Sequence, residues 1–245
     1  MKATLSILPA LCLLLLFSNQ AKADIVAHWT GDNTAVDATG NGHDGTINGA
    51  GFGAGQFGQA FVFDGFNDSV IVDANPDLEP TTEISISLWV QAPTENHLRN
   101  LIDSTHGVGR AGWAVQLDAA NNVRFTYGNG STFPELVTPL GNEDGQFHHV
   151  AATFDGSLLS LYVDGSLSST LAYSGTPLPS GRDIQIGRHL VLNRPFEGSL
   201  DDIRIFDNAL SSAEVSRLFT GVPEPTALGP LAFLFACISS RRRRR

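Results

Sequence analysis

Gly145-Gln146-Phe147-His148-His149-Val150-Ala151-Ala152-Thr153-Phe154-Asp155-Gly156, followed by Leu161-Tyr162-Val163-Asp164-Gly165, is the stretch that decides the fold. Its apolar and β-branched runs at 149–154 and 158–163 are separated by Asp155-Gly156, and the second run closes on Asp164-Gly165. Asp-Gly between two such runs predicts a type I′ hairpin, a turn whose central residues both need positive φ. Working outward, similar short runs recur between Gly, Asn and Asp clusters at 25–29, 60–63, 69–72, 84–91, 101–103, 113–117, 123–127, 184–186 and 199–206. Many short strands punctuated in this way predict an all-β, two-sheet antiparallel sandwich. One helix is expected near the C-terminus. Ser211 and Glu214 have capping-box spacing, Val215, Leu218 and Phe219 form a short apolar stripe, and Gly221 stops it.

The two ends of the chain differ from this pattern. Met1-Lys2 is cationic, residues 3–17 are apolar, and Ala21-Lys22-Ala23 supplies a small-x-small site. Residues 1–23 therefore read as a signal peptide cleaved before Asp24, the apolar run being short for a permanent anchor. At the other end stand Pro223, Glu224 and Pro225, a mostly apolar stretch at 226–240, and five consecutive arginines at 241–245. Terminal positive charge stays on the cytoplasmic side, so an exported domain with its last residues inside is expected. Pro-Glu-Pro, a short apolar segment and an arginine run together resemble the PEP-CTERM sorting signal, with an ordinary tail anchor as the alternative. The resemblance implies an exosortase-type membrane protease as partner, transient inner-membrane anchoring through a transmembrane helix, and a surface or extracellular destination. Residues 24–221 are left as one domain and 222–245 as the sorting tail.

Between residues 24 and 221 there are eight basic residues, all arginine, against 24 acidic ones, a formal charge of −16. Such a surface repels phosphate backbones, so nucleic acid is not an expected partner. It suits divalent cations, whose ligands are carboxylate and carbonyl oxygens, or it is simply a solvated surface. Cys12 and Cys237 both fall in the terminal segments. The domain therefore has no disulfide, no thiolate zinc site and no cysteine nucleophile.

In order along the chain, four segments and a closing one resemble the LamG-like, concanavalin A-type jelly-roll family. They are Ile25-Val26-Ala27-His28-Trp29 with Asp37 to Thr46, Phe57 to Gly65 running into Asn67-Asp68-Ser69-Val70, Ile84 to Val90, and Gly145 to Gly165. The closing segment is Gly198-Ser199-Leu200-Asp201-Asp202-Ile203-Arg204-Ile205-Phe206 with Ala209-Leu210-Ser211. The family usually has Trp where this chain has Phe147. The resemblance implies two sheets packed face to face with the first and last strands adjacent. It also implies a structural Ca²⁺ where the exit of the first strand meets the last strand. The matching positions are Asp32, the Gly40-Asn41-Gly42 turn and Asp201, so Asp32, Asn41 and Asp201 are the candidate metal ligands. Asp32 and Asn41 read equally as turn formers, and Asp201 as a buried acceptor.

His148 and His149, adjacent on a strand, point to opposite faces and cannot jointly hold one ion, so a core position or cross-sheet hydrogen bonding is expected of them. Trp89 and Trp113 lie within strand patterns and are expected in the core. The Glu-x-Asp-x-(x)-Glu motif of jelly-roll glucanases does not occur, since Glu83 is followed by Ser85 and Asp201-Asp202 by Arg204. No Gly-x-Ser-x-Gly elbow is present either. No catalytic residue is assigned, and no enzyme activity is expected. Recognition is expected on the long loops 96–112, 128–145 and 190–197, which offer Arg99, His106, Arg110, Phe133 and Arg194, with His189 at the entry to the last. The expected function is an exported, non-catalytic surface module for a carbohydrate or protein ligand. A divergent glycoside hydrolase and a purely structural component are the alternatives.

Overall fold

The computed structural model describes residues 24–105, 109–141 and 145–221. Residues 1–23, expected to be a signal peptide, His106, the expected sorting motif Pro223-Glu224-Pro225 and the rest of the C-terminal segment lie outside the described residues. Among the described residues no helix is long and apolar enough to cross a membrane. The strands run β1 (Ile25–Trp29), β2 (Gly45–Asn48), β3 (Gly51–Ala54), β4 (Gln59–Asp64), β5 (Ser69–Val72) and β6 (Ile84–Gln91). They continue as β7 (Arg99–Asp103), β8 (Trp113–Leu117), β9 (Asn122–Tyr127), β10 (Glu135–Pro139), β11 (His148–Phe154) and β12 (Leu158–Val163). After β13 (Ser166–Ala172), β14 (Ile184–Ile186), β15 (Arg188–His189), β16 (Arg194–Pro195) and β17 (Glu197–Phe206), the helix α1 (Ser212–Thr220) closes the domain.

These strands form two antiparallel sheets packed as a sandwich. The first has the order β13-β12-β11-β6-β17-β4-β3 with β1 also on β17, and the second β10-β9-β8-β7-β14-β5-β2. The first strand thus lies beside the last, as the resemblance implies. Between the sheets sits a core in which Trp29, Phe61, Trp113, Phe125 and Phe154 are almost wholly buried. Each such side chain contributes roughly 1.5–3 kcal/mol of burial. In the second sheet the cross-strand row Ile186, Ile102, Val115, Phe125 and Leu136 faces this core. Residues one step along each strand must therefore face outward.

The decisive hairpin forms, with one correction. Asp164 and Gly165 both have positive φ, 48° and 74°, as a type I′ turn between β12 and β13 requires. At Asp155-Gly156 only Gly156 has positive φ, at 90°. There the Asp155 carboxylate accepts from the amides of Ser157 (2.9 Å) and Leu158 (2.8 Å), which makes an Asx-type turn one residue longer.

Helix α1 lies on the outer face of the first sheet. Its capping box is complete, and Gly221 ends it in the left-handed region at φ 64°. Phe219 stacks on Trp89 with ring centroids 5.6 Å apart, while Phe57 meets the same indole edge-on at 5.8 Å. Trp89 is accordingly buried, but under the helix rather than in the central core, where Trp113 lies. His149 is sealed beneath the same cover with its Nε2 2.9 Å from Ser87 Oγ, whereas His148 turns away to Asp164 at 2.9 Å. One outer face of the sandwich is thus closed by a helix. The other is not.

Candidate functional site

The outward row of the second sheet is polar. Register places Gln185, Asp103, Ala114, Thr126 and Glu135 side by side, with Asn100, Gln116, Arg124 and Val137 in the next row. Asn100, Asp103, Gln116 and Gln185 are all nearly fully buried, so this face has a floor of amide and carboxyl groups. Gln116 Nε2 donates to Asn100 Oδ1 at 3.4 Å, and Asn100 Nδ2 to the Gln185 carbonyl at 3.3 Å. Burying such groups is costly unless each is paired.

Asp103 is the exception. One carboxyl oxygen accepts from Thr105 Oγ1 at 3.4 Å, while Oδ2 is buried without a hydrogen-bond partner. Burial pushes this carboxyl well above the ordinary carboxylate range, although hydrogen bonds from Thr105 and Asn100 and the charge of Arg194 pull the other way. The β15–β16 hairpin folds over this end of the face. The Leu190 amide donates to Gln185 Oε1 at 2.6 Å, and His189 Nε2 lies 3.3 Å from Thr105 Oγ1. The hairpin leaves its tip, Leu190, Val191 and Leu192, exposed.

The half-buried side chains of this face are cationic. Arg124 pairs with Glu135, and its Nε is buried without a partner. Arg194 stands close enough that burial, and then the charge of Arg124, depress its proton affinity, with Asp103 acting in the opposite sense. Of the loop residues singled out from sequence, Arg194 belongs to this face. His189 is buried beneath it, Arg110 donates to the Ser131 carbonyl elsewhere, and Phe133 is partly exposed before β10. Arg99 is not a surface residue at all. Its guanidinium is fully buried and bonds the Pro93 and Asp118 carbonyls and Asn121 Oδ1.

The proposed metal ligands lie at the other sheet. Asp32 Oδ1 accepts from the Gln59 amide and Asp201 Oδ2 from the Phe57 amide, both at 2.8 Å, so the two carboxylates hold one turn from opposite sides. Glycine is required at both corners of that turn. A Cβ on Gly55 would stand 2.6 Å from Asp201 Oδ2, and one on Gly58 2.4 Å from Asp32 Oδ1. Asn41 is not on this turn: its Nδ2 donates to the Val26 carbonyl at 2.9 Å. The 37–44 loop is instead organised by Asp37, which sequence reasoning passed over. Despite its burial, hydrogen bonds from Thr39, His28 and His43 hold its carboxyl below the usual range. Among the described residues no cluster of three His, Cys, Asp or Glu is placed to hold a metal. Asp201 nonetheless fits a hard cation in one respect, since its Oδ1 is buried and unpartnered. Burial raises its proton affinity to about 6.

Comparison with known proteins gives three kinds of likeness. The family model Laminin_G_3, described as the concanavalin A-like lectin/glucanases superfamily, matches residues 63–216. A rat protein named for its sushi, von Willebrand factor type A, EGF and pentraxin domains is 33% identical over 101 residues, 35% of this chain and 3% of that protein. Its mouse counterpart is 29% identical over 137 residues, 48% of this chain and 4% of its own length. The chain therefore spans a small fraction of these curated relatives. Among solved structures, domain 4 of AbnA, a GH43 extracellular arabinanase from Geobacillus stearothermophilus, in complex with arabinotriose, superposes with a TM-score of 0.67 at 21% identity, covering 80% of this chain and 98% of that one. A botulinum neurotoxin type C structure, whose cell entry depends on two ganglioside molecules, superposes at 0.65 and 15% identity, covering 81% of this chain and 51% of that one. At such identities these structures establish a shared fold.

Proposed function

The chain belongs to the concanavalin A-like lectin/glucanases superfamily, and from that premise we propose that it is a non-catalytic, exported module that binds a glycan on the outer face of its second sheet. The observation that carries this reading is the polar outer face of the second sheet, where exposed Glu135 and half-buried Arg124 and Arg194 border a buried floor of side-chain amides around Asp103. Sugars are bound by such fixed donors and acceptors, which replace the water on ligand hydroxyls. The arabinotriose on a domain of this fold and the gangliosides of the toxin point the same way.

A hydrolase on this face is disfavoured by the register. Asp103 and Glu135 share a row, but Ala114 and Thr126 stand between them. Three strand spacings put their backbones about 14 Å apart. Glycosidase carboxyl pairs stand about 5–9.5 Å apart. Ser87 and His149 form a hydrogen-bonded pair, yet both are sealed under α1 and His149 Nδ1 has no partner to orient it.

Two further elements belong to the proposal. Calcium would be held by Asp32 and Asp201 at the turn they share, without Asn41, whose side chain is committed to the Val26 carbonyl on the 37–44 loop, and would fix β17 to the segment before β4. Delivery would use the N-terminal signal and an exosortase-type protease acting at Pro223-Glu224-Pro225, with transient anchoring in the inner membrane by the tail. The test of the binding reading is a glycan screen with the full chain and with Gln116→Ala. Binding weakened by about tenfold or more is expected of the variant at a temperature where it stays folded, since removing Gln116 also leaves Asn100 Oδ1 without its donor and lowers thermal stability. No glycan bound, or binding indifferent to Gln116, would contradict it.

A further inference from the structure

We propose a second binding site, independent of the glycan face: a cleft at the start of β1 that takes the guanidinium of an arginine side chain presented by a partner protein. The cleft has a volume of about 500 Å³ and is lined by Asp24, Asn41, His43, Asp77 and Asp207, with two prolines among its apolar walls. Separate stretches of chain meet there. The Asp207 amide donates to the Asp24 carbonyl at 3.3 Å, joining the segment that enters β1 to the one that leaves β17. Asn41 Nδ2 donates to the Val26 and Ile25 carbonyls at 2.9 and 3.4 Å, and Asp77 comes from the 3₁₀-helical turn Pro76–Leu78.

His43 marks this cleft as a site rather than a set of solvated carboxylates. It is only 5% exposed. Its amide donates to Asp37 Oδ2 at 3.2 Å and its carbonyl accepts from Trp29 Nε1 at 2.8 Å, so the backbone beneath the ring is fixed. The ring itself makes no hydrogen bond among the described residues, and neither of its nitrogens is sealed from solvent. A polar side chain so deeply set is ordinarily paired, and the open side of this one is the cleft. The carboxylates of Asp24, Asp77 and Asp207 are exposed and form no ion pair among the described residues either.

The chemistry of the lining selects the ligand. The Asn41 amide commits its N–H groups to carbonyls, which leaves its oxygen to offer. With three carboxylates and the acceptor nitrogen of a neutral imidazole, acceptors far outnumber donors. Sugar hydroxyls both donate and accept and fit such a lining poorly. A guanidinium has five donors and no acceptor, and its planar fork reaches acceptors that stand on separate segments. Among the described residues no three His, Cys, Asp or Glu converge closely enough for a metal ion. One sign of charge around a cleft with apolar walls concentrates counter-charge inside it.

The experiment titrates the full chain at low ionic strength with a Gly-Arg-Gly peptide blocked at both ends, with its citrulline counterpart and with glucosamine. Citrulline keeps the shape of arginine and replaces the guanidinium by a neutral urea. Arg241 to Arg245 are replaced by glutamine in every protein titrated, so that the chain's own arginine run does not compete. The arginine peptide is expected to bind about tenfold or more tightly than the citrulline one, with the difference shrinking as salt is added. Asp77→Asn and Asp207→Asn, both at exposed positions, are each expected to weaken arginine binding about threefold or more, at unchanged melting temperature and citrulline affinity. His43→Phe is expected to weaken it by a similar factor, and the two aspartate variants carry the test should His43→Phe fold poorly. Glu197→Gln makes the same change of charge at the opposite end of β17 and is expected to alter nothing. Equal affinity for the arginine and citrulline peptides, an equal loss in Glu197→Gln, or tighter binding of glucosamine would each overturn the inference. None of these outcomes bears on the glycan screen, which reads Gln116.

Discussion

Replacing Arg99 by methionine is expected to lower the free energy of unfolding by about 3–5 kcal/mol, the cost of removing one member of a fully buried charged network. Methionine roughly fills the stem of the side chain but supplies no donor. The Pro93 carbonyl, at 2.6 Å from Arg99 Nη1, the Asp118 carbonyl, at 3.3 Å from Nη2, and Asn121 Oδ1 would all lose their partner. Each such buried acceptor left unsatisfied costs about 1–3 kcal/mol. The Glu95 carboxylate, 3.6 Å from Nε, would lose its counter-charge as well. Burial already lowers the proton affinity of this arginine, and Glu95 and Asp118 offset part of that effect. Arg99 also ties the segment entering β7 to the β8–β9 turn, and Asn100 and Asp103 of the glycan floor lie on that same strand. Urea unfolding of Arg99→Met and Arg99→Lys provides the measurement. A midpoint within error of the wild type in the methionine variant would contradict the network.

The second large effect is a pair of opposing pH dependences in the first sheet. Asp201 and His149 lie on either side of Trp89 in adjacent strands. Burial raises Asp201 from 3.8 to about 6 and lowers His149 from 6.5 to about 4. The folded protein holds the Asp201 proton more tightly than the unfolded chain does, so that contribution is present below pH 3.8 and is lost as pH rises through 6. His149 is held less tightly in the folded protein, so its stability contribution is present above pH 6.5 and is lost as pH falls through 4. At about 1.4 kcal/mol per pH unit, each shift amounts to about 3 kcal/mol, and over the shared window the two slopes cancel. Single variants unmask them. In chelator, Asp201→Asn is expected to be stabilised by up to about 3 kcal/mol at pH 7 and to lose stability steeply on acidification. His149→Gln is expected to lose stability as pH rises from 4 to 6. Identical pH slopes in all three proteins would refute the assignment. Excess calcium adds a further arm, because a cation on Asp201 favours the charged form. It should raise the melting temperature of the wild type and leave Asp201→Asn unmoved.

Much of this fold is legible in the sequence, and the strands of the two main sheets that are missed have a common cause. The runs at 69–72, 84–91, 113–117, 158–163 and 184–186 coincide with β5, β6, β8, β12 and β14 because their residues pack against the core. The strands β2, β3, β10 and β13 escape such reading. Gly45-Thr46-Ile47-Asn48 and Gly51-Phe52-Gly53-Ala54 are glycine-containing and largely exposed, and Ser166–Ala172 is mostly polar. All four lie at sheet edges, where one side has no strand to pack against and the apolar signal fades. Pro139 ends β10, as an edge strand permits. The site is less legible still. Asp103 meets Gln185 through a pairing between strands 82 positions apart, and Arg194 reaches the face because a hairpin folds back over it. No local pattern marks either event. Arg99 and Arg194 look alike in sequence, yet one is locked inside and the other lines the face.

Amide hydrogen exchange of the full chain, with and without a saturating oligosaccharide from the screen, tests the central claim most directly. Binding on the outer face of the second sheet predicts new protection in β7, β8, β9 and the 188–195 hairpin, with the first sheet unchanged. Protection confined to the cleft lined by Asp24, Asn41, Asp77 and Asp207, where β1 begins, would contradict it and move the site to that cleft.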